Sequence, residues 1–196
     1  MDKDKYDKIK DKYGEYASWA IWDTSLLDYK AISKKIKPNI VMVGLNAPNS
    51  ISKDFKNFHG SPGYDEKLKC AFGDPKFEGI KFEGAYMTDI IKFRTIKDKN
   101  INASKSGEVM KYLKDHPEVE RKNVKSFEKE LKFIGSKKSL IIALGRGALS
   151  ILKRNGFNGI SNSIWIYHHA YRFRGYSDPI KYREKVLEMI KQQLSK

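Results

Sequence analysis

Ser139-Leu-Ile-Ile-Ala-Leu-Gly-Arg-Gly-Ala-Leu-Ser150 reads as a buried strand, a Gly-x-Gly turn and the opening of a helix. Its apolar part is continuous rather than alternating, which is what a parallel strand covered on both faces requires. Three more stretches share that pattern: Ile40-Val-Met-Val-Gly44, Gly84-Ala-Tyr-Met87 and Ser163-Ile-Trp-Ile-Tyr167. Helical spacing occupies Ser104 to Lys114, Val124 to Ile134 and Gly147 to Arg154. Ser177-Asp-Pro-Ile180 supplies an N-cap with proline in the first turn. The helix it opens carries Val186, Leu187, Ile190 and Leu194 on one stripe. Strands alternating with helices predict an α/β sandwich with a mainly parallel central sheet. No repeat or linker divides the chain, so residues 1–196 are expected to form one domain.

The 196 residues, 40% hydrophobic, suffice for a core without disulfides or metal staples. Cys70 is the lone cysteine, which excludes an intramolecular disulfide, a Cys-rich zinc site and a four-Cys iron–sulfur cluster. Reducing cytosol is the natural compartment for such a chain. Residues 1–12 alternate Asp and Lys and make no secretory signal. No apolar run approaches the ~20 residues that span a bilayer. A cytoplasmic protein without metal, cofactor or membrane partner is expected. Lys+Arg total 39 against 24 Asp+Glu, a net charge of +15. Such a surplus favours polyanions, whose counterions are released on binding. It is also what a Lys-rich, AT-rich coding sequence produces, so charge alone decides nothing.

Residues 1–36 are expected to form a helical segment packed on the domain. Met1 to Glu15 reads as a charged helix with a solvated face or a frayed end. Trp19 and Trp22, three apart, share one face if their segment is helical, as core anchors rather than as a ligand platform.

Ligands of parallel α/β sheets bind beyond the carboxyl ends of the strands. After the first strand stands Gly44-Leu-Asn-Ala-Pro48, where Asn46 is able to aim a carboxamide at a water or a base edge, with Phe58 and His59 following as a flat surface. After the second, Asp89 and Lys92 are either a binding pair or a helix cap with its neighbour. After the third, Gly145-Arg146-Gly147 either presents backbone N–H groups to a phosphate or serves close packing. After the fourth, Tyr167-His-His-Ala-Tyr-Arg-Phe-Arg-Gly-Tyr176 interleaves Arg with aromatics, as phosphates and stacked bases require. Adjacent histidines are expected to point apart, and no carboxylate or Cys stands at ligand spacing, so a metal reading is poor.

In this order the four ends resemble the uracil-DNA glycosylase superfamily, over roughly Ile40 to Leu194. Gly44-Leu-Asn-Ala-Pro48 is similar to its first motif with one inserted residue. His168-His-Ala170 is similar to its second, although the Pro-Ser of that motif is replaced. Thr88-Asp89 resembles the strand end that several branches fill with Thr-Asn. The resemblance implies an αβα sandwich around a four-stranded parallel sheet. It implies a DNA glycosylase that flips a damaged or deaminated base and hydrolyses its N-glycosidic bond. Asn46 would position the water, Phe58 stack on the base and Asp89 read its edge. His168 or His169 would stabilise the departing base, while Lys92, Arg146, Arg172 and Arg174 contact the nucleic acid. A carboxylate only accepts hydrogen bonds, so Asp89 suits a base edge richer in donors than uracil. Two other readings are a non-catalytic nucleic-acid binder of the same fold and an enzyme of free nucleosides or nucleotides.

Overall fold

The longest strand, β2 (Lys37–Asn46), runs through the middle of the sheet, and its buried segment shows why. Ile40 and Met42 face one apolar cluster, while Val41, Val43 and Leu45 face another. Both faces of the strand are therefore buried, and the uninterrupted apolar run follows. The molecule is described by a computed structural model covering residues 1–21, 29–47, 62–72, 82–96, 99–136, 138–170 and 178–195. Phe58, His59, Arg172 and Arg174 lie outside the described residues, as does Trp22.

β2 pairs in parallel with β3 (Ala85–Ile91) on one side and with β4 (Leu140–Leu144) on the other. β4 in turn pairs in parallel with β5 (Ser163–Ile166). All four apolar runs are thus strands. The sheet is nevertheless five-stranded and mixed, because β1 (Ser18–Trp19) adds antiparallel to β3, giving the order β1-β3-β2-β4-β5. The segment around Trp19 is accordingly strand and not helix. Its indole is fully buried, edge-on to Tyr86 with ring centroids 5.0 Å apart. The core role expected of Trp19 holds; the helical spacing with Trp22 does not supply it.

Helices cover both faces. α1 (Lys3–Tyr13), α5 (Ser106–Asp115), α6 (Pro117–Ile134) and α7 (Arg146–Arg154) contribute to one cluster. α3 (Pro62–Phe72) and α8 (Pro179–Leu194) pack on each other and on the opposite face. The short α2 (Tyr29–Ile32) and α4 (Phe93–Ile96) lie between strands in the chain. α1 is no frayed end: Tyr6, Ile9 and Tyr13 are buried, at i, i+3 and i+7, so its charged residues are one side of an amphipathic helix. α6 begins seven residues before the apolar spacing suggests, with Pro117 in its first turn. α8 opens as expected, the Asp178 carboxylate accepting from the N–H groups of Ile180 and Lys181. Its buried stripe is Tyr182, Val186, Met189 and Ile190, whereas Leu194 is 45% exposed. None of the described helices is long and apolar enough to cross a membrane.

β5 is an edge strand, and its outward backbone is guarded. The Gln193 carboxamide of α8 accepts from Trp165 N at 3.0 Å and donates to Trp165 O at 2.8 Å. Edge strands left open recruit other strands. Gln193→Ala is expected to cost ~1–2 kcal/mol in urea unfolding, two hydrogen bonds being lost, and to raise light scattering during refolding. Wild-type scattering in this variant would show that the edge is protected otherwise.

Candidate functional site

The register of the sheet sets what meets at the carboxyl ends. Gly44 of β2 lies opposite Asp89 of β3, and Leu144 of β4 opposite Ile166 of β5. β4 therefore separates Asn46 from His168 by two strand spacings, ~10 Å. On the α3–α8 face Asp89 is buried, 5% exposed, and leans across Gly44. A Cβ at Gly44 would overlap Asp89 Oδ1 and stand 3.2 Å from its Cγ. That glycine is the space in which the carboxylate lies. Gly44→Ala should therefore displace Asp89, which a change in its carboxyl 13C shift would report.

Asp89 belongs to β3 and caps no helix, which corrects the cap alternative. Asn46 Nδ2 donates to Ala103 O at 2.8 Å, tying the strand end to the loop before α5 and leaving its Oδ1 as acceptor.

Beyond β5 the chain leaves strand geometry, and alternation no longer sends successive side chains apart. The rings of His168 and His169 consequently stack, centroids 4.1 Å apart at 26°, against the expectation that they diverge. Gly145, whose φ of +99° is open chiefly to glycine, turns β4 into α7 beside them, and a Cβ there would lie 3.8 Å from His168 Cβ. Burial, with the charge of Lys67 behind it, pushes His168 down to about 4. Burial likewise holds His169 well below its ordinary value, His168 and Lys67 adding to the effect. Both rings are neutral at pH 7. Ala170 N donates to His168 Nδ1 at 3.1 Å, so the ring proton resides on Nε2. His168 is thus a neutral imidazole presenting one N–H donor.

Lys67 is the residue that sequence reading misses. It lies on α3, 4% exposed, with Nζ 5.8 Å from the Tyr182 ring centroid. Its signal was available: at helical spacing it precedes Ala71 by four, placing a lysine on the apolar stripe. Tyr182 in turn donates to Tyr167 O at 2.7 Å and fixes the chain leading into the His pair.

Of the expected nucleic-acid contacts, Lys92 and Arg146 differ in what surrounds them. Lys92 Nζ reaches Glu130 Oε2, Thr88 Oγ1 and Asp89 O, each at 2.7 Å. Its three donors are spent inside the fold, so it is no phosphate ligand. Arg146 is exposed at the start of α7, its guanidinium 4.6 Å from the Trp165 ring centroid. Among the described residues no group of His, Cys, Asp and Glu is placed to hold a metal ion. No protein-family model matches the chain, and neither a curated protein nor a solved structure shows significant similarity to it.

Proposed function

We propose that this protein is a DNA glycosylase-like hydrolase that releases a damaged or deaminated base from DNA. The observation that carries the reading is His168, a neutral ring at a strand end with its proton on Nε2. Cleavage of an N-glycosidic bond leaves negative charge on the departing base. A fixed neutral donor stabilises that charge as it develops without itself surrendering a proton. Lys67 adds positive potential to the same place. Asn46 has no useful basicity, so its role is to orient water through Oδ1, and the reaction is slow. Asp89 accepts from donors on the base edge, which favours a base other than uracil. On this reading the four parallel strands are the sheet of a uracil-DNA glycosylase-like αβα sandwich, with β1 an added edge.

The test is base release from labelled oligonucleotides, single- and double-stranded, carrying uracil, hypoxanthine or xanthine, with abasic sites cleaved by alkali. Release from one damaged base is expected. His168→Ala should slow it by ~10²–10³, the usual cost of one such donor. Release that survives His168→Ala at the wild-type rate would remove the assignment.

A further inference from the structure

Arg146, Leu149, Ser150, Lys153 and Arg154 of α7 and Trp165 of β5 line an open groove of about 580 Å³. Arg146 and Lys153 are exposed and have no ion-pair partner among the described residues. Arg154 is held by Glu120, its Nε donating to Oε1 at 2.7 Å, and Asn155 also donates to that carboxylate. Glu120 is thereby neutralised. Arg154 also borders a second groove of about 560 Å³ whose lining includes Lys114 and Arg121. The two grooves meet at Arg154, which lines both, and the exposed cations lining them are Arg146, Lys153, Arg121 and Lys114. At one end the Arg146 guanidinium over Trp165 offers a flat cationic platform.

We propose that this track binds a single nucleic-acid strand. A row of cations whose one lining acid, Glu120, is already paired with Arg154 matches a phosphodiester backbone, and a guanidinium plane backed by an indole matches an unstacked base. A duplex offers no free base face to that platform. None of Asn46, Lys67, Asp89, His168 and His169 lines this track, so it does not depend on their chemistry. With four cations engaged, log K should fall against log[salt] with a slope near ~3, about 0.7 per phosphate.

The experiment is fluorescence anisotropy with an undamaged single-stranded DNA oligonucleotide, titrated over salt, with the same strand as duplex, its RNA counterpart and inorganic polyphosphate as competitors. Arg121→Glu/Lys153→Glu, both surface changes, should weaken binding about tenfold or more at moderate salt and lower the slope by ~1.4. Lys8→Glu, an exposed change on α1 that removes the same kind of charge elsewhere, should bind nearly as wild type. DNA and RNA strands should compete alike, since backbone and base face are shared. Wild-type affinity in the double variant, preference for duplex, or equal competition by polyphosphate per phosphate would overturn the proposal. So would an equal loss in Lys8→Glu, which would show that net charge and not this track holds the strand. Because the strand is undamaged, failure of base release leaves this test intact.

Discussion

Replacing Glu130 by alanine is expected to destabilise the protein by about 3–5 kcal/mol, the usual cost of removing one partner from a buried ion pair. Glu130 projects from α6 onto β3 and is fully buried. Its Oε1 accepts from Tyr86 Oη at 2.9 Å and from Thr88 Oγ1 at 2.8 Å, while Oε2 meets Lys92 at 2.7 Å. Lys92 is further stabilised over the Tyr16 ring, 4.8 Å from its centroid. Without the carboxylate a nearly buried ammonium loses its counter-charge and two hydroxyls lose their acceptor. Burial, reinforced by the Glu130 charge, holds the Tyr86 phenol well above its ordinary value, so it meets the carboxylate as a neutral donor. Lys92→Met in the Glu130→Ala background should recover part of the loss, because the uncompensated charge goes while the hydroxyls stay unsatisfied. Urea unfolding of the three variants decides it. A loss below ~1 kcal/mol for Glu130→Ala would show that water reaches the pair.

The second large effect is acid lability from the His pair. In the unfolded chain His168 titrates near ~6.5, whereas in the fold burial holds it to about 4. Between those values the unfolded chain takes up a proton that the native ring refuses. Stability therefore falls as pH falls through this window, and below about 4 the native ring charges too and the loss stops. His168 alone should cost ~2 kcal/mol between pH 7 and 5, before most carboxylates titrate. His169, shifted in the same direction, steepens the slope. In His168→Asn/His169→Asn the denaturation midpoint should be nearly flat over that range. A wild-type profile already flat from pH 7 to 5 would mean that the rings are solvated.

The parts of the fold legible in the sequence are those where burial is two-sided. The runs at β2 and β4, and Ala85–Met87 of β3, announce themselves because both faces are buried apolar, whereas β5, with Ser163 and Trp165 half-buried, shows in Ile164 and Ile166. β1 does not, since two residues, Ser18 and Trp19, carry no periodicity and acquire their conformation from β3. In the site, Asn46, Asp89 and the His pair were visible as polar residues at strand ends. Lys67 and Glu130 show in the sequence only as charged residues at apolar positions of helices, and what each does there does not, because its partner lies far along the chain. Glu130 follows Phe127 by three and precedes Ile134 by four, both buried. Lys92 was misread for the same cause, because its partner Glu130 is 38 positions away, in α6. The stacking of His168 on His169 required knowing that β5 ends at Ile166.

The measurement that bears most directly on the account is single-turnover release of free base from damaged oligonucleotides, followed by mass spectrometry from pH 5.5 to 8.5. A donor that is already neutral has no titration in this range. The account predicts release of one damaged base at a rate that does not rise as pH falls through ~6.5. Absence of free base at every pH, or a rate that requires protonation with a midpoint near that value, would contradict it.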